Sequence, residues 1–171
     1  DGDTSAWDEL MDVLYSDERE KIEWAIGCVC AGELKDHHKM LIMYGPPGSG
    51  KSTILNIISD MFKGYTCTFN SKSLGSSSDQ YALEPFKDFP LIGIEHEADL
   101  SKIDSNARLN SLVSHEPLTV NEKYKGLYSA TFCTMLMMGT NNPVKITDSK
   151  SGLIRRLIDV IPTGEKLSSK E

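Results

Sequence analysis

The chain has 171 residues and contains neither of the long apolar stretches that would mark a membrane span or a secretory leader. No run approaches the roughly 20 apolar residues that a spanning helix needs. Positive charge is also scarce. The formal net charge is -7, and a broad duplex-binding face would need clustered Lys and Arg to displace counterions from phosphates. Any nucleic-acid contact must therefore be local. Cysteines number four (Cys28, Cys30, Cys67, Cys133) and form no C-x-x-C pair, while His37-His38 lacks a second pair at zinc-ligand spacing. Structural zinc is thereby disfavoured, and reduced thiols suit a cytoplasmic setting. The sequence opens at Asp1 rather than Met, which reads as a piece of a longer polypeptide.

The remaining composition, 39% hydrophobic and 25% charged, is that of a globular domain long enough to bury a core. Trp7, Leu10, Met11 and Leu14 recur at helical spacing, as do Ile22, Ala25, Ile26, Val29 and Cys30 after a capping Ser16-Asp17, with Gly32 closing that second helix. Met40 to Tyr44 reads as a buried strand, Ile54, Ile57, Ile58 and Met61 as a helix, and Tyr65 to Phe69 as another strand. The serine-rich Ser71 to Asp79 reads as a mobile loop and Tyr81 to Phe86 as a short helix. Beyond the strand around Leu91 to Glu95, Leu109, Leu112 and Val113 fit a helix. Leu118 to Val120 and Leu127 to Phe132 flank a hairpin turn. Met135 to Met138 is a further strand, a polar loop follows Pro143, and a short Leu153 to Leu157 element precedes a last strand through Val160 and Ile161. Alternating strands and helices predict a three-layer α/β fold with a largely parallel sheet. The expected division is an N-terminal helical segment over 1–38, a core over 39–165 with an inserted β-hairpin, and a tail over 166–171.

The segment Gly45-Pro46-Pro47-Gly48-Ser49-Gly50-Lys51-Ser52 matches G-x-x-x-x-G-K-[ST] and lies between a predicted strand and a predicted helix. Glycines let backbone N–H groups turn inward around phosphate while the helix points its positive end at them. Lys51 is expected to reach the β- and γ-phosphates, Ser52 to ligate Mg²⁺, and Thr53 to pack or touch the α-phosphate. The cofactor expectation is therefore ATP with Mg²⁺.

Such a site needs carboxylates at the end of a neighbouring strand, one for the hydrated metal and one to orient water. Glu95 is assigned to the metal and Glu97 to the base, with His96 between them; a solvated acidic strand end is the plainer explanation. Asn141, in Thr140-Asn141-Asn142, could hold the lytic water, although Asn-Asn-Pro also starts turns. Arg155 and Arg156 carry the permanent charge suited to a transferring phosphoryl group, or else pair with acids such as Asp159. Lys123, Tyr124 and Lys125 combine cations with an aromatic ring, the mixture that grips a single strand, though lysine-bearing turns are common.

The order of phosphate loop, acidic strand, helix, basic hairpin, Asn-ended strand and late Arg resembles the superfamily 3 helicases of viruses and phages. It is most similar to the poxvirus-type helicase domain of phage and plasmid primase-helicases. Gln80-Tyr81-Ala82-Leu83, Leu112 to Thr119 with Lys123-Tyr124, Gly139-Thr140-Asn141 and Leu153-Ile154-Arg155-Arg156-Leu157 carry that likeness. His115-Glu116 stands where many relatives have Gly-Asp, and Ile161-Pro162-Thr163 where they have a phenylalanine-ended strand. The resemblance implies an AAA+-type DNA helicase of DNA replication: a homo-oligomeric, hexameric ring that binds ATP between neighbours, takes an arginine from one of them, and pulls single-stranded DNA with Lys123 and Lys125. It also implies a primase domain in the parent chain. An AAA+ loader or initiator would share the nucleotide motifs, and a small-molecule kinase would need an acceptor pocket and lid that no residues here indicate.

Overall fold

In the computed structural model, residues 2–142 and 152–166 are described; the polar loop after Pro143 and the end of the tail lie outside them. Five strands form one parallel sheet: β1 (Met40–Tyr44), β2 (Thr66–Thr68), β3 (Ile92–Glu95), β6 (Met135–Thr140) and β7 (Leu157–Val160), in the order β2-β3-β6-β1-β7. Two more, β4 (Leu118–Val120) and β5 (Tyr128–Ala130), pair antiparallel as the expected separate hairpin.

Alternation along the strands divides the core in two. Leu41 and Met43 of β1, with Met135 and Met137 of β6, face a layer that includes Met11, Ile22, Ile54 and Ile58. Met40 and Ile42, with Leu136 and Met138, face Leu74, Phe86, Leu109 and Leu112. Successive side chains leave a strand on opposite sides, so a strand apolar at every position is covered on both faces. The registers Leu41↔Met137 and Ile92↔Met135 set β1 and β3 on either side of β6 with their apolar sets in phase.

On the first face lie α1 (Ser5–Leu14), α2 (Arg19–Ala31) and α3 (Lys51–Met61). The helices of the expected N-terminal segment thus share one core with the helix that follows the phosphate loop. Gly32 ends α2 at φ 72°, where Glu33 N–H donates to Cys28 O and Gly32 N–H to Val29 O, a paired closure that needs a left-handed residue. The expected Ser16-Asp17 cap does not form. Those residues lie in a short 3₁₀ turn, and α2 is held at its start by Arg19, whose guanidinium reaches Asp8, Asp12 and Glu23 at 2.6, 2.6 and 2.7 Å.

The opposite face holds α4 (Ser71–Gly75), α5 (Ala107–Val113) and the hairpin. Part of the expected mobile serine loop is therefore helix: Asn70 Oδ1 caps it by accepting from Ser73 N–H, and Leu74 anchors it in the core. The expected helix over Tyr81 to Phe86 is reduced to turns and a 3₁₀ segment, Glu84–Phe86, with Pro85 inside it. No helix among the described residues is long and apolar enough to cross a membrane.

Candidate functional site

Strand β1 runs directly into the glycine loop and α3 starts at Lys51, the geometry in which loop amides and the helix's positive end converge on one point. Gly48 and Gly50 adopt φ of 78° and 89°, a region closed to most side chains. A Cβ at Gly50 would also lie 2.7 Å from Leu14 Cδ1. The ammonium of Lys51 is folded back into the loop, donating to Gly45 O at 2.6 Å, Pro46 O at 2.8 Å and Ser49 Oγ at 3.3 Å. It is 6% exposed, and burial pulls its pKa down. Among the described residues this buried cation bonds only neutral oxygens, which satisfy its hydrogen bonds without compensating its charge.

Lys51 faces a cavity of about 430 Å³. Ser52 and Thr53 line it beside Pro47, Gly48 and Gly50. Across from them stand His96, Glu97 and Asn141. Sheet order explains the meeting: β6 lies between β1 and β3, so the residue after β6 opens between the phosphate loop and the end of β3. The approach is close, since Gly45 N–H donates to Thr140 O and Ala98 N–H to Gly139 O. A Cβ on Gly139 would sit 2.8 Å from His96 O, so only glycine lets β6 pass.

Of the two acids singled out from the sequence, Glu97 lines the cavity and Glu95 does not. Glu95 is the last residue of β3; its Oε2 accepts from Ser71 N–H at 3.0 Å, and it is 7% exposed. Burial pushes its carboxyl pKa up, against the lowering effect of the Ser71 hydrogen bonds. The strand ends there and the chain bends, which turns both His96 and Glu97 to the cavity. From the sequence His96 has no role; the bend after Glu95, which no local signal marks, is what brings it to the cavity.

Three further lining residues come from distant parts of the chain: Leu14 at the end of α1, and Glu165 and Lys166 after β7. The two segments are tied together, Thr163 N–H donating to Leu14 O and Thr163 Oγ1 to Val13 O. No local signal could have paired residues so far apart.

Arg155 and Arg156 are absent from this cavity. They precede β7, at the opposite end of a parallel sheet, and line a second cavity of about 300 Å³ with Asp36, His37, His38 and Lys39. Arg156 is built into its own chain: Nε and Nη2 donate to Ser114 Oγ at 2.8 and 2.6 Å, and Nη1 to Gly152 O at 2.9 Å. Neither arginine forms an ion pair with Asp159 among the described residues.

The hairpin turn has the three side chains expected of it. Tyr124 is fully exposed with φ 64°, Lys125 pairs with Glu122 at 2.8 Å, and the Lys123 ammonium sits 5.7 Å from the centre of the Tyr81 ring. Among the described residues no cluster of His, Cys, Asp or Glu is arranged to hold a metal unaided.

Comparison with known proteins yields a family model described as a family of unknown function, DUF5906, which matches residues 43–156. Among solved structures, the apo C-terminal region of NrS-1 (305-718) superposes with a TM-score of 0.68 at 17% identity, covering 96% of this chain and 40% of that one. A further apo form of that region gives 0.57 at 18% identity, covering 78% and 31%. JCV helicase, with a thiazolopyridine compound bound, gives 0.58 at 14% identity, covering 83% and 40%. The chain spans less than half the length of each of these structures. The α/β fold with a parallel five-stranded sheet is shared with them.

Proposed function

The chain belongs to the DUF5906 family, and from that premise we propose that it is an ATP-hydrolysing motor domain of the superfamily 3 helicase kind, acting on single-stranded DNA during replication. One observation carries the reading: a single cavity brings Lys51, Ser52 and Thr53 of a phosphate loop opposite Glu97, His96 and Asn141.

The loop fits a triphosphate. Its two left-handed glycines expose backbone rather than side chain to the cavity, and its buried ammonium holds neutral carbonyls that an anionic oxygen would outcompete. The Ser52 hydroxyl would hold Mg²⁺, which when bound neutralises charge between phosphates. Glu97 accepts a proton from, or orients, the attacking water, and the Asn141 amide fixes that water by hydrogen bond. Glu95 accepts from Ser71 N–H away from the cavity, so of the two acids at the end of β3 Glu97 is the carboxylate in place.

Arg155 and Arg156 stand at the far end of the sheet and could serve a nucleotide only from a second copy, as in a ring. Arg155 is the freer of the two, because its guanidinium makes no hydrogen bond or ion pair among the described residues. The hairpin Lys123-Tyr124-Lys125 supplies the contact to the strand being moved, and a primase domain in the parent chain would make use of the strand so exposed.

The test is ATP turnover with and without single-stranded DNA, together with displacement of a strand from a tailed duplex. The expected result is DNA-stimulated hydrolysis and displacement, both abolished by Lys51→Ala. Hydrolysis without displacement would favour a loader, and turnover unchanged in Lys51→Ala would remove the assignment.

A further inference from the structure

The second cavity gathers charge that the sequence scatters. The chain has four arginines and four histidines; Arg155, Arg156, His37, His38 and Lys39 line this one pocket, and Asp36 is the acid that lines it with them. The cations are not neutralised. Arg156 donates to a hydroxyl and a carbonyl, and Lys39 Nζ donates to Arg155 O at 2.6 Å, all neutral acceptors. No carboxylate bonds Arg155, Arg156 or Lys39 among the described residues. Burial and then the neighbouring Arg155 charge hold Arg156 below the usual guanidinium range, with Glu116 opposing them. Cations packed side by side repel one another, and an anion bound between them relieves that cost.

The pocket is also continuous with the base of the hairpin. His115, in the turn that leads into β4, lies between two backbone carbonyls, Nδ1 2.8 Å from Phe132 O and Nε2 3.3 Å from His37 O, and its ring N–H donates to one of them. Its ring meets that of His38 edge-on at 5.9 Å. Ser114, next to it, holds Arg156. One rigid corner thus joins the hairpin strands to the cationic pocket. At the tip Lys125 is already paired with Glu122, whereas Lys123 lies over the Tyr81 ring and keeps its charge, so the tip offers one cation to a strand and the pocket offers several.

We propose that this pocket binds phosphodiester groups of single-stranded nucleic acid, with Arg155, Lys39 and His38 as contacts and Arg156 as their positioning residue, so that the strand runs from the hairpin onto the sheet's far end. The proposal rests on the nucleic-acid part of the function proposed above. A guanidinium presents paired donors to two phosphate oxygens, and a pocket of about 300 Å³ takes a phosphate of one flexible strand rather than a duplex face.

The experiment measures binding of fluorescein-labelled oligo-dT over a series of salt concentrations. For single strands each phosphate contact contributes about 0.7 to the slope of log affinity against log salt. Arg155→Gln with Lys39→Gln should flatten the slope by about twice that amount, and Lys123→Ala by about one contact. Lys63→Ala, which removes an exposed charge at the far end of α3, should leave the slope as it is. Both pocket positions are exposed, and a thermal melt checks that the double variant is folded; should it not be, Lys39→Gln alone carries the same test. A wild-type slope in the pocket variant beside a flattened one in Lys123→Ala removes the pocket and leaves the motor standing. Loss of ATP turnover in Arg155→Gln with an unchanged slope would assign the pocket to a neighbour's nucleotide and overturn the proposal. Wild-type protein that hydrolyses ATP but does not bind oligo-dT removes the nucleic-acid reading as a whole.

Discussion

The two ends of the central sheet are built differently. At the end where β1 meets the glycine loop, six residues between Pro47 and Thr53 supply one wall of the cavity, and His96, Glu97 and Asn141 come to it from the ends of two other strands. At the other end, Lys39 precedes β1, Arg155 and Arg156 precede β7, and Ser114 and His115 follow α5. The first end is a local motif completed by neighbours; the second exists only because the sheet brings its strand beginnings together. Parallel strands make this division unavoidable, since all their starts lie on one edge and all their ends on the other.

If the loop end is the reaction centre, its substitutions should act on turnover. The largest effect is expected of Glu97→Gln, which keeps shape and hydrogen bonding but not basicity. Hydrolysis should fall by about 10²–10⁴-fold while nucleotide binding, followed by fluorescent-analogue titration, persists. Near-normal turnover would move the base elsewhere and blur the contrast.

Gly50→Ala probes the same end through the backbone. Forcing an alanine to φ 89° costs about 1–3 kcal/mol, and the added methyl meets Leu14, whose side chain can shift. A lower melting temperature and weaker nucleotide binding are expected; a stability equal to wild type would mean that the loop relaxes freely.

At the far end, Ser114→Ala removes the acceptor of two Arg156 hydrogen bonds at 2.8 and 2.6 Å. Bonds to charged groups contribute about 1.5–3 kcal/mol, and the partial exposure of Arg156 lets water replace part of that. A loss nearer 1 kcal/mol is therefore expected in chemical denaturation. No loss would show that Arg156 is not anchored as described.

The smallest effect is expected of Glu95→Gln, which distinguishes a buried acid of the fold from one of the reaction. Because burial raises its folded pKa, Glu95 favours folding most below the ordinary carboxylate range, and this contribution disappears as pH rises through the raised value. At neutral pH the buried charge is a burden. Glutamine still accepts from Ser71 N–H without it, so the melting temperature should rise at neutral pH and the gain should vanish on acidification. A gain independent of pH would exclude the charge as its cause.

Much of the architecture was legible in periodicity. The unbroken apolar runs Met40 to Tyr44 and Met135 to Met138 announced strands covered on both faces, and the Gly32 stop and the hairpin around Lys123 to Gly126 are present. Serine-rich composition concealed α4, because one asparagine cap and one buried leucine outweigh several polar residues when a core lies beneath them. At the site, motif and strand end singled out Lys51, Glu95 and Glu97 and gave His96 no role; Glu95 instead meets Ser71 N–H, and the bend after it brings both His96 and Glu97 to the cavity.

What the sequence determined by itself is whatever depends on neighbours within a few positions: the left-handed glycines, the start of α3, the lysine that follows, and the alternation that buries a strand. Tertiary structure alone decided which strand lies between β1 and β3, that Leu14 and Glu165 reach the phosphate loop, and that cations more than a hundred residues apart share one pocket. Local conformational preference is written into each short stretch of chain, whereas the pairing of distant stretches follows from the packing of the whole core.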